Sequence, residues 1–318
     1  MDATNSNPYP KDFEEFLDWF PSEKECTDYL EWVRWGERFC CPKCNHDEFW
    51  ALKSGLRMCK KCRHKTSVTS GTVFDDGRKS LRVWFHVMWL LMAQKTGISA
   101  KNFYDTFGFG SYQTTWGWLQ KLRSVMIRPG RDRLAGRIEL DGCYIGGQKE
   151  GRRGRGAESK TLVLVGVEGE KTKKLGRVRF RVISSHTSEE IKKFVSDYIE
   201  EGSTVVTDGL KSYDFMDALN IKHERFIMSK AKVKKNGEDS NLYHVHLIVS
   251  LLKRWLRGTH QGAVTPGHLS CYLDEFAFRF NRRLSTHRGK LFYRLMQQAV
   301  TCRPAPIKDF YNSTKGLE

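Results

Sequence analysis

The hydrophobic rhythm of the chain changes part-way along. From Ser80, apolar residues recur at helical spacing, at Leu81, Trp84, Phe85, Val87, Met88, Leu90 and Leu91. That is the three-and-four rhythm of one buried helix face. Gly97-Ile98-Ser99 breaks the run, and Ser99 is placed to cap a second helix carrying Phe103 and Phe107. A turn over residues 108–111 leads to a third helix, Tyr112 to Met126. Past Pro129-Gly130 the pattern tightens into strands: Arg137 to Tyr144, Thr161 to Glu168, Arg177 to Ser184 and Ser203 to Asp208. A helix from Ser188 to about Ile199 separates the last two, opened by Thr187 or Ser188 followed by Glu189 and Glu190. Ser212 to Asn220 reads as helical, and Tyr243 to Leu256 as a long amphipathic helix.

Two of the strands end on Asp-Gly in this reading, at Asp141-Gly142 and Asp208-Gly209. Asp-Gly is a common turn dipeptide, and each pair by itself reads as an ordinary turn. The order of elements changes that reading. Strand-strand-strand-helix-strand-helix, with an aspartate in the first strand and another ending the fourth, is the layout of a ribonuclease H-like core. There the first and fourth strands are neighbours, so the two aspartates meet. Adjacent carboxylates repel unless a hard cation lies between them.

Cysteine spacing adds a second site. Cys41-Pro42-Lys43-Cys44 and Cys59-Lys60-Lys61-Cys62 are separated by 14 residues. Each C-x-x-C presents two thiolates from one tight turn, and two of them close a four-thiolate structural zinc site, the signature of a zinc ribbon. Phe49 to Leu52 and Gly55 to Met58 suit a hairpin between the knuckles. Cys40 is an adjacent alternative ligand with poorer spacing. Cys26, Cys143, Cys271 and Cys302 read as buried or free thiols. An odd total of nine cysteines argues against a disulfide scaffold and for a reducing compartment.

Charge narrows the partner. The formal net charge is +17 and the isoelectric point about 9.5, which calls for a polyanion. No apolar run approaches a membrane span, and Met1 to Pro10 is polar, with no signal peptide. Nucleic acid is therefore the expected partner, ahead of an acidic protein. Lys43, Arg57, Lys60, Lys61, Arg63, His64 and Lys65 stud the ribbon and suit phosphate contacts. The second and third helices read equally as a helix-turn-helix or as a plain helical bundle. In the first case Gln113, Thr114, Thr115, Gln120, Lys121 and Arg123 face a groove. The expected division is an N-terminal helix and ribbon over 1–76, a helical DNA-binding segment over 77–130, a ribonuclease H-like mixed-sheet domain over 131–300, and a tail over 301–318.

Several strings together carry a family resemblance. They are Tyr29-Leu30-Glu31-Trp32-Val33-Arg34-Trp35 before the knuckles, Thr69-Ser70-Gly71-Thr72-Val73-Phe74, and Asp141-Gly142-Cys143-Tyr144-Ile145-Gly146-Gly147 with an Arg-Gly loop. Further on stand Val206-Thr207-Asp208-Gly209, Lys253-Arg254-Trp255-Leu256-Arg257-Gly258-Thr259-His260, Tyr272-Leu273-Asp274-Glu275-Phe276 and Arg279-Phe280-Asn281-Arg282-Arg283. Over nearly its whole length the chain resembles the zinc-ribbon insertion-sequence transposases with a DDE-type core, relatives of the Merlin transposons.

The resemblance implies a DNA nuclease and strand transferase that cuts at terminal inverted repeats and joins the ends to target DNA. It implies structural zinc and catalytic magnesium or manganese, a homodimer on double-stranded DNA, and a bacterial-type cytoplasm or nucleoid. The third acidic ligand of such enzymes falls at His246 here, and some family members carry His or Asn at that position. Asp141 would then bridge two metals, Asp208 hold one, and His246 complete the other. His246 and Lys253 are seven apart, about 20° short of two turns, so they share a helix face. Imidazole suits manganese, zinc or iron better than magnesium. Glu224, Glu238, Asp239 and His244 are alternative third ligands. Lys253, Arg254, Lys211 and the loop residues Arg152, Arg153 and Arg155 are the expected DNA clamps, though the loop reads equally as a solvated insertion. The competing reading is a catalytically inactive or domesticated DNA-binding derivative, which the non-carboxylate at position 246 favours.

Overall fold

The computed structural model of the protein describes residues 7–75, 79–128, 130–146, 160–169, 175–226, 242–262 and 264–302. The arginine loop with Arg152, Arg153 and Arg155, the acids Glu238 and Asp239, and nearly all of the expected tail lie outside the described residues. The chain forms two compact units. One is built from residues up to Arg128 together with a segment from Leu284; the other lies between them.

In the first unit, helices α1 (Phe13–Trp19) and α2 (Glu23–Trp35) start on Asp12 and Ser22, whose side chains accept amides of the first turn. The zinc ribbon follows as β1 (Phe49–Ala51), β2 (Arg57–Cys59) and β3 (Lys65–Thr66), all antiparallel. The Arg34 guanidinium donates to the carbonyls of Ser67, Val68 and Ser70, at 3.0, 2.6 and 2.7 Å. That anchors the exit turn to α2. Helices α3 (Leu81–Ala93), α4 (Ala100–Phe107) and α5 (Tyr112–Ser124) stand where the periodicity expects them. Both carboxylate oxygens of Glu23 accept amides at the start of α3, from Leu81 at 2.7 Å and Arg82 at 3.0 Å.

One expectation for α5 fails. Thr115, Gln120 and Arg123 are buried in the unit and cannot face a DNA groove. Gln113 and Thr114 are exposed, and Lys121 is half-buried. Within the ribbon, Arg57 is bound to Glu31 and stacked over Phe49, 4.2 Å from its centroid, so it serves the fold rather than a phosphate.

The second unit is a five-stranded sheet with helices on both faces. Its strands are β4 (Arg137–Ile145), β5 (Thr161–Gly169), β6 (Leu175–Ile183), β7 (Thr204–Asp208) and β8 (Lys222–Phe226). They lie in the order β6-β5-β4-β7-β8. β4, β5 and β6 pair antiparallel, whereas β4–β7 and β7–β8 are parallel. Three antiparallel strands followed by two parallel ones, with the first strand central, is the ribonuclease H-like topology. Helix α6 (Ser188–Tyr198) covers one face through Ile191 and Phe194, packed on Ile138, Leu140, Leu164 and Val205. Helices α7 (Tyr243–His260) and α8 (Leu269–Phe280) cover the other, over Cys143, Ile145, Val163 and Val165. The edge strand β6 is closed by Asn281, which accepts from the Val178 amide (2.8 Å) and donates to its carbonyl (3.1 Å). Such pairing blunts an edge that would otherwise recruit another strand.

Three expectations change. Ser212 to Asn220 forms two short 3₁₀ turns rather than a helix. β8 went unforeseen because Lys-His-Glu-Arg-Phe is a polar edge strand with no alternating pattern. The last helix, α9 (Arg288–Thr301), was expected inside the catalytic segment but belongs to the first unit. There Phe292 sits among Phe16, Phe85 and Trp89, with ring centroids 5.6 to 5.8 Å apart. A Cβ at Gly289 would lie 1.5 Å from the Pro10 carbonyl oxygen, so only glycine lets α9 approach.

Candidate active site

The second-unit site is built on β4. Its even positions, Ile138 and Leu140, pack toward α6, and its odd positions face α7. Asp141 therefore lies on the α7 face, with Glu139 before it and Cys143 after it. Asp141 is mid-strand, not at a strand end as the sequence suggested; β4 runs on to Ile145. β7 runs parallel beside it, with Arg137 level with Thr204 and Glu139 with Val206. The paired register ends there, two residues before Asp141 on one strand and Asp208 on the other. Val205 packs on the α6 side, so Asp208 shares the α7 face with Asp141. Asp208 does end its strand.

Each carboxylate is tied by one oxygen. Asp141 Oδ1 accepts the Gly142 amide at 2.7 Å, and Asp208 Oδ1 accepts the Leu210 amide at 3.2 Å. The second oxygen of Asp141 stands 3.6 Å from His246 Nε2, so strand β4 and helix α7 bring these two groups together. The hydrogen bond to Asp141 raises the pKa of His246, burial opposes the rise, and the charges of Asp141 and Glu139 add to it. The carboxylates of Asp141 and Glu139 thus favour a positive charge at His246. Carboxylate oxygens and an imidazole nitrogen are donors of the kind that magnesium or manganese takes. Among the described residues, however, only the four cysteines bring three or more potential ligands within 4.8 Å of one another, so Asp141, Asp208 and His246 are not gathered into a metal cluster here.

The other candidates separate. Lys253 is exposed on α7, and its charge is felt at the Cys143 thiol, which burial pushes up to about 12. Lys211 is exposed just beyond Asp208, and Arg254 is exposed one position past Lys253. Glu224 is bound to Arg137 and so committed elsewhere. His244 turns away from Asp141. It is buried, and its Nδ1 donates to Glu139 Oε1 at 2.7 Å. Sequence reasoning missed this buried Glu139–His244 pair. The available signal was Glu139-Leu140-Asp141, two acids on one face of a strand.

The zinc centre is self-evident in its geometry. The sulfurs of Cys41, Cys44, Cys59 and Cys62 lie within 4.8 Å of one another, with Cys41–Cys62 and Cys44–Cys59 each at 3.6 Å. Zinc–sulfur bonds of about 2.3 Å at tetrahedral angles set sulfurs roughly 3.8 Å apart, so the quartet fits zinc. The two knuckles match. Cys41 N donates to His46 O and Asn45 N to Cys41 O, and Cys59 N to His64 O and Arg63 N to Cys59 O. Asn45 and Arg63 occupy the same step of each turn at φ +58° and +57°. Cys40 is exposed and outside the quartet. None of the nine cysteines is in a disulfide; Cys26 and Cys143 are buried and Cys271 and Cys302 half-buried.

Family comparisons agree with this architecture. The family model of the ISXO2-like transposase domain matches residues 133–281, and that of the transposase zinc-ribbon domain matches residues 21–65. Together they span more than half the chain. The chain belongs to the zinc-ribbon insertion-sequence transposases with a DDE-type core. It is 27% identical over 290 residues to an uncharacterized protein in transposable element ISH50 of Halobacterium salinarum, a match covering 85% of this chain and 94% of that one. A solved structure of the catalytic core domain of BIV integrase is 16% identical with a TM-score of 0.29, covering 44% of this chain and 82% of that one. That likeness is too slight to argue from, and the fold assignment rests on the strand order. Among the described residues, no helix is long and apolar enough to cross a membrane.

Proposed function

We propose that the protein is an active transposase that cuts DNA at its element's terminal inverted repeats and joins the freed ends to target DNA. The observation that supports this reading most is His246 of α7 standing 3.6 Å from Asp141 of β4, the strand that runs parallel to the one ending on Asp208. Asp141 and Asp208 would hold divalent ions, and His246 would complete the set. Ions bound there supply activation of the attacking hydroxyl and charge neutralisation at the leaving oxygen of an in-line phosphoryl transfer.

The remaining roles fall to the chain itself. The two amides fix the carboxylates, which limits reorganisation during the reaction. Lys253 and Lys211 supply exposed positive charge beside the site for the DNA backbone, with Arg254 a further contact. The same contacts are assigned by resemblance to Arg152, Arg153 and Arg155. In hydrolysis a phosphorus–oxygen bond to water forms as the bond to the 3′ oxygen breaks. In joining, that 3′-hydroxyl attacks a target phosphodiester, and a new phosphorus–oxygen bond forms as the bond to the target strand's own 3′ oxygen breaks and leaves a target 3′-hydroxyl. Two ends must be held at once, which calls for a homodimer on DNA.

The test is cleavage of a duplex carrying the element's inverted repeat, with magnesium and with manganese. Nicking and joining should appear, manganese should serve better, and Asp141→Asn should abolish both. DNA binding without metal-dependent nicking under either ion would favour the inactive, DNA-binding derivative instead.

A further inference from the structure

Helix α7 carries His246, yet it begins without a cap of its own. The residue at its N-cap position is Leu242, whose side chain offers no acceptor. The cap comes from the neighbouring strand. Glu139 Oε2 accepts the Val245 amide at 2.9 Å, and Oε1 accepts from His244 Nδ1 at 2.7 Å. Glu139 is 4% exposed and His244 5%.

A buried carboxylate is costly unless both oxygens are partnered. Replacing such a pair by well-packed apolar side chains is often neutral or stabilising. The pair's presence at this point therefore needs a reason beyond packing. Its placement supplies one: Glu139 is two residues before Asp141 on the same face of β4, and the amide it holds belongs to the residue before His246. The surroundings are shaped to the same end. A Cβ on Gly169 would lie 2.5 Å from His244 Nδ1, so β5 is hollowed where the imidazole sits. Among the described residues, His244 Nε2 is buried without a hydrogen-bond partner, so the ring is held through Nδ1.

We propose that Glu139 is a positioning residue: it caps α7 from strand β4 and so fixes His246 against Asp141. The inference rests on the proposed ligand role of Asp141 and His246, while the cap itself can be tested without it. The experiment uses the full zinc-loaded chain and four variants: Glu139→Ala, Glu139→Gln, Gly169→Ala and Leu140→Ala. Leu140 is fully buried on the opposite face of the same strand and controls for lost stability. Two readouts are taken at a temperature where each protein is folded. One is Mn²⁺ affinity by electron paramagnetic resonance; the other is amide exchange in the first turn of α7.

Glu139→Ala and Gly169→Ala should weaken Mn²⁺ binding at least tenfold and speed first-turn exchange. Leu140→Ala should lower the melting temperature and move neither. Wild-type Mn²⁺ affinity in Glu139→Ala, or equal weakening in Leu140→Ala, overturns the proposal. If the wild-type chain binds no Mn²⁺, the ligand reading fails separately. Unchanged first-turn exchange in Glu139→Ala then overturns the cap. Should Glu139→Ala not fold, Glu139→Gln and Gly169→Ala decide by the same criteria.

Discussion

His246 shows how much one residue can report about the site. Its pKa lies above the ordinary histidine value, chiefly through Asp141. A raised folded pKa means that the imidazolium stabilises the metal-free protein. That contribution is complete below the unfolded value near 6.5 and is lost as pH rises through the folded value. Metal-free wild type should therefore exceed His246→Asn in melting temperature by more at pH 5.5 than at pH 8.5, by calorimetry. An equal difference at both values contradicts the pairing. A second residue-scale prediction concerns Arg63, which holds the left-handed conformation in its knuckle where the matching knuckle uses Asn45. Such a conformation costs a non-glycine residue about 1 kcal/mol, and asparagine tolerates it better. Arg63→Asn should raise the stability of the zinc-loaded protein by several tenths of a kcal/mol, measured by denaturant titration.

At the scale of elements, the molecule repeatedly satisfies one element's loose ends with another's side chains. Glu23 caps α3, Glu139 caps α7, Arg34 holds the exit turn of the ribbon, and Asn281 closes β6. Losing the paired Asn281 bonds should cost about 1–2 kcal/mol, since a buried amide and carbonyl lose their partner. Asn281→Ala should show this in thermal unfolding, with faster exchange at Val178. The ribbon has its own test: elemental analysis should give one zinc per chain, lost when Cys41 and Cys59 are changed together. Zinc retained in that double variant contradicts the four-cysteine centre. These contacts also explain what the sequence could and could not tell. Long apolar runs marked α3, β4, β5 and β7, because burial dictates their pattern. β8 and the cross-element caps carry no such pattern. Their residues are polar, and their partners are distant in the chain.

For the whole molecule, the zinc quartet and the proposed catalytic site were legible for different reasons. The zinc quartet is written in local spacing, so four residues sufficed to place it. The proposed Asp141–Asp208 pair depends on strand order, and the element sequence implied the β4–β7 neighbourhood that the sheet shows. Domain limits were less legible, because α9 returns to the first unit after the sheet is complete. The overall charge of +17 has its own consequence. DNA affinity should fall by roughly a thousandfold or more between 50 and 200 mM salt if six or more phosphates are contacted. An affinity indifferent to salt would argue against a backbone-tracking surface.

The most direct measurement is anomalous diffraction from crystals of the protein bound to an end of its element and equilibrated with Mn²⁺. Manganese coordinated by Asp141 and Asp208, with His246 in the same shell, is the predicted result. Manganese bound elsewhere, or ordered DNA at a site where these residues coordinate nothing, would contradict it.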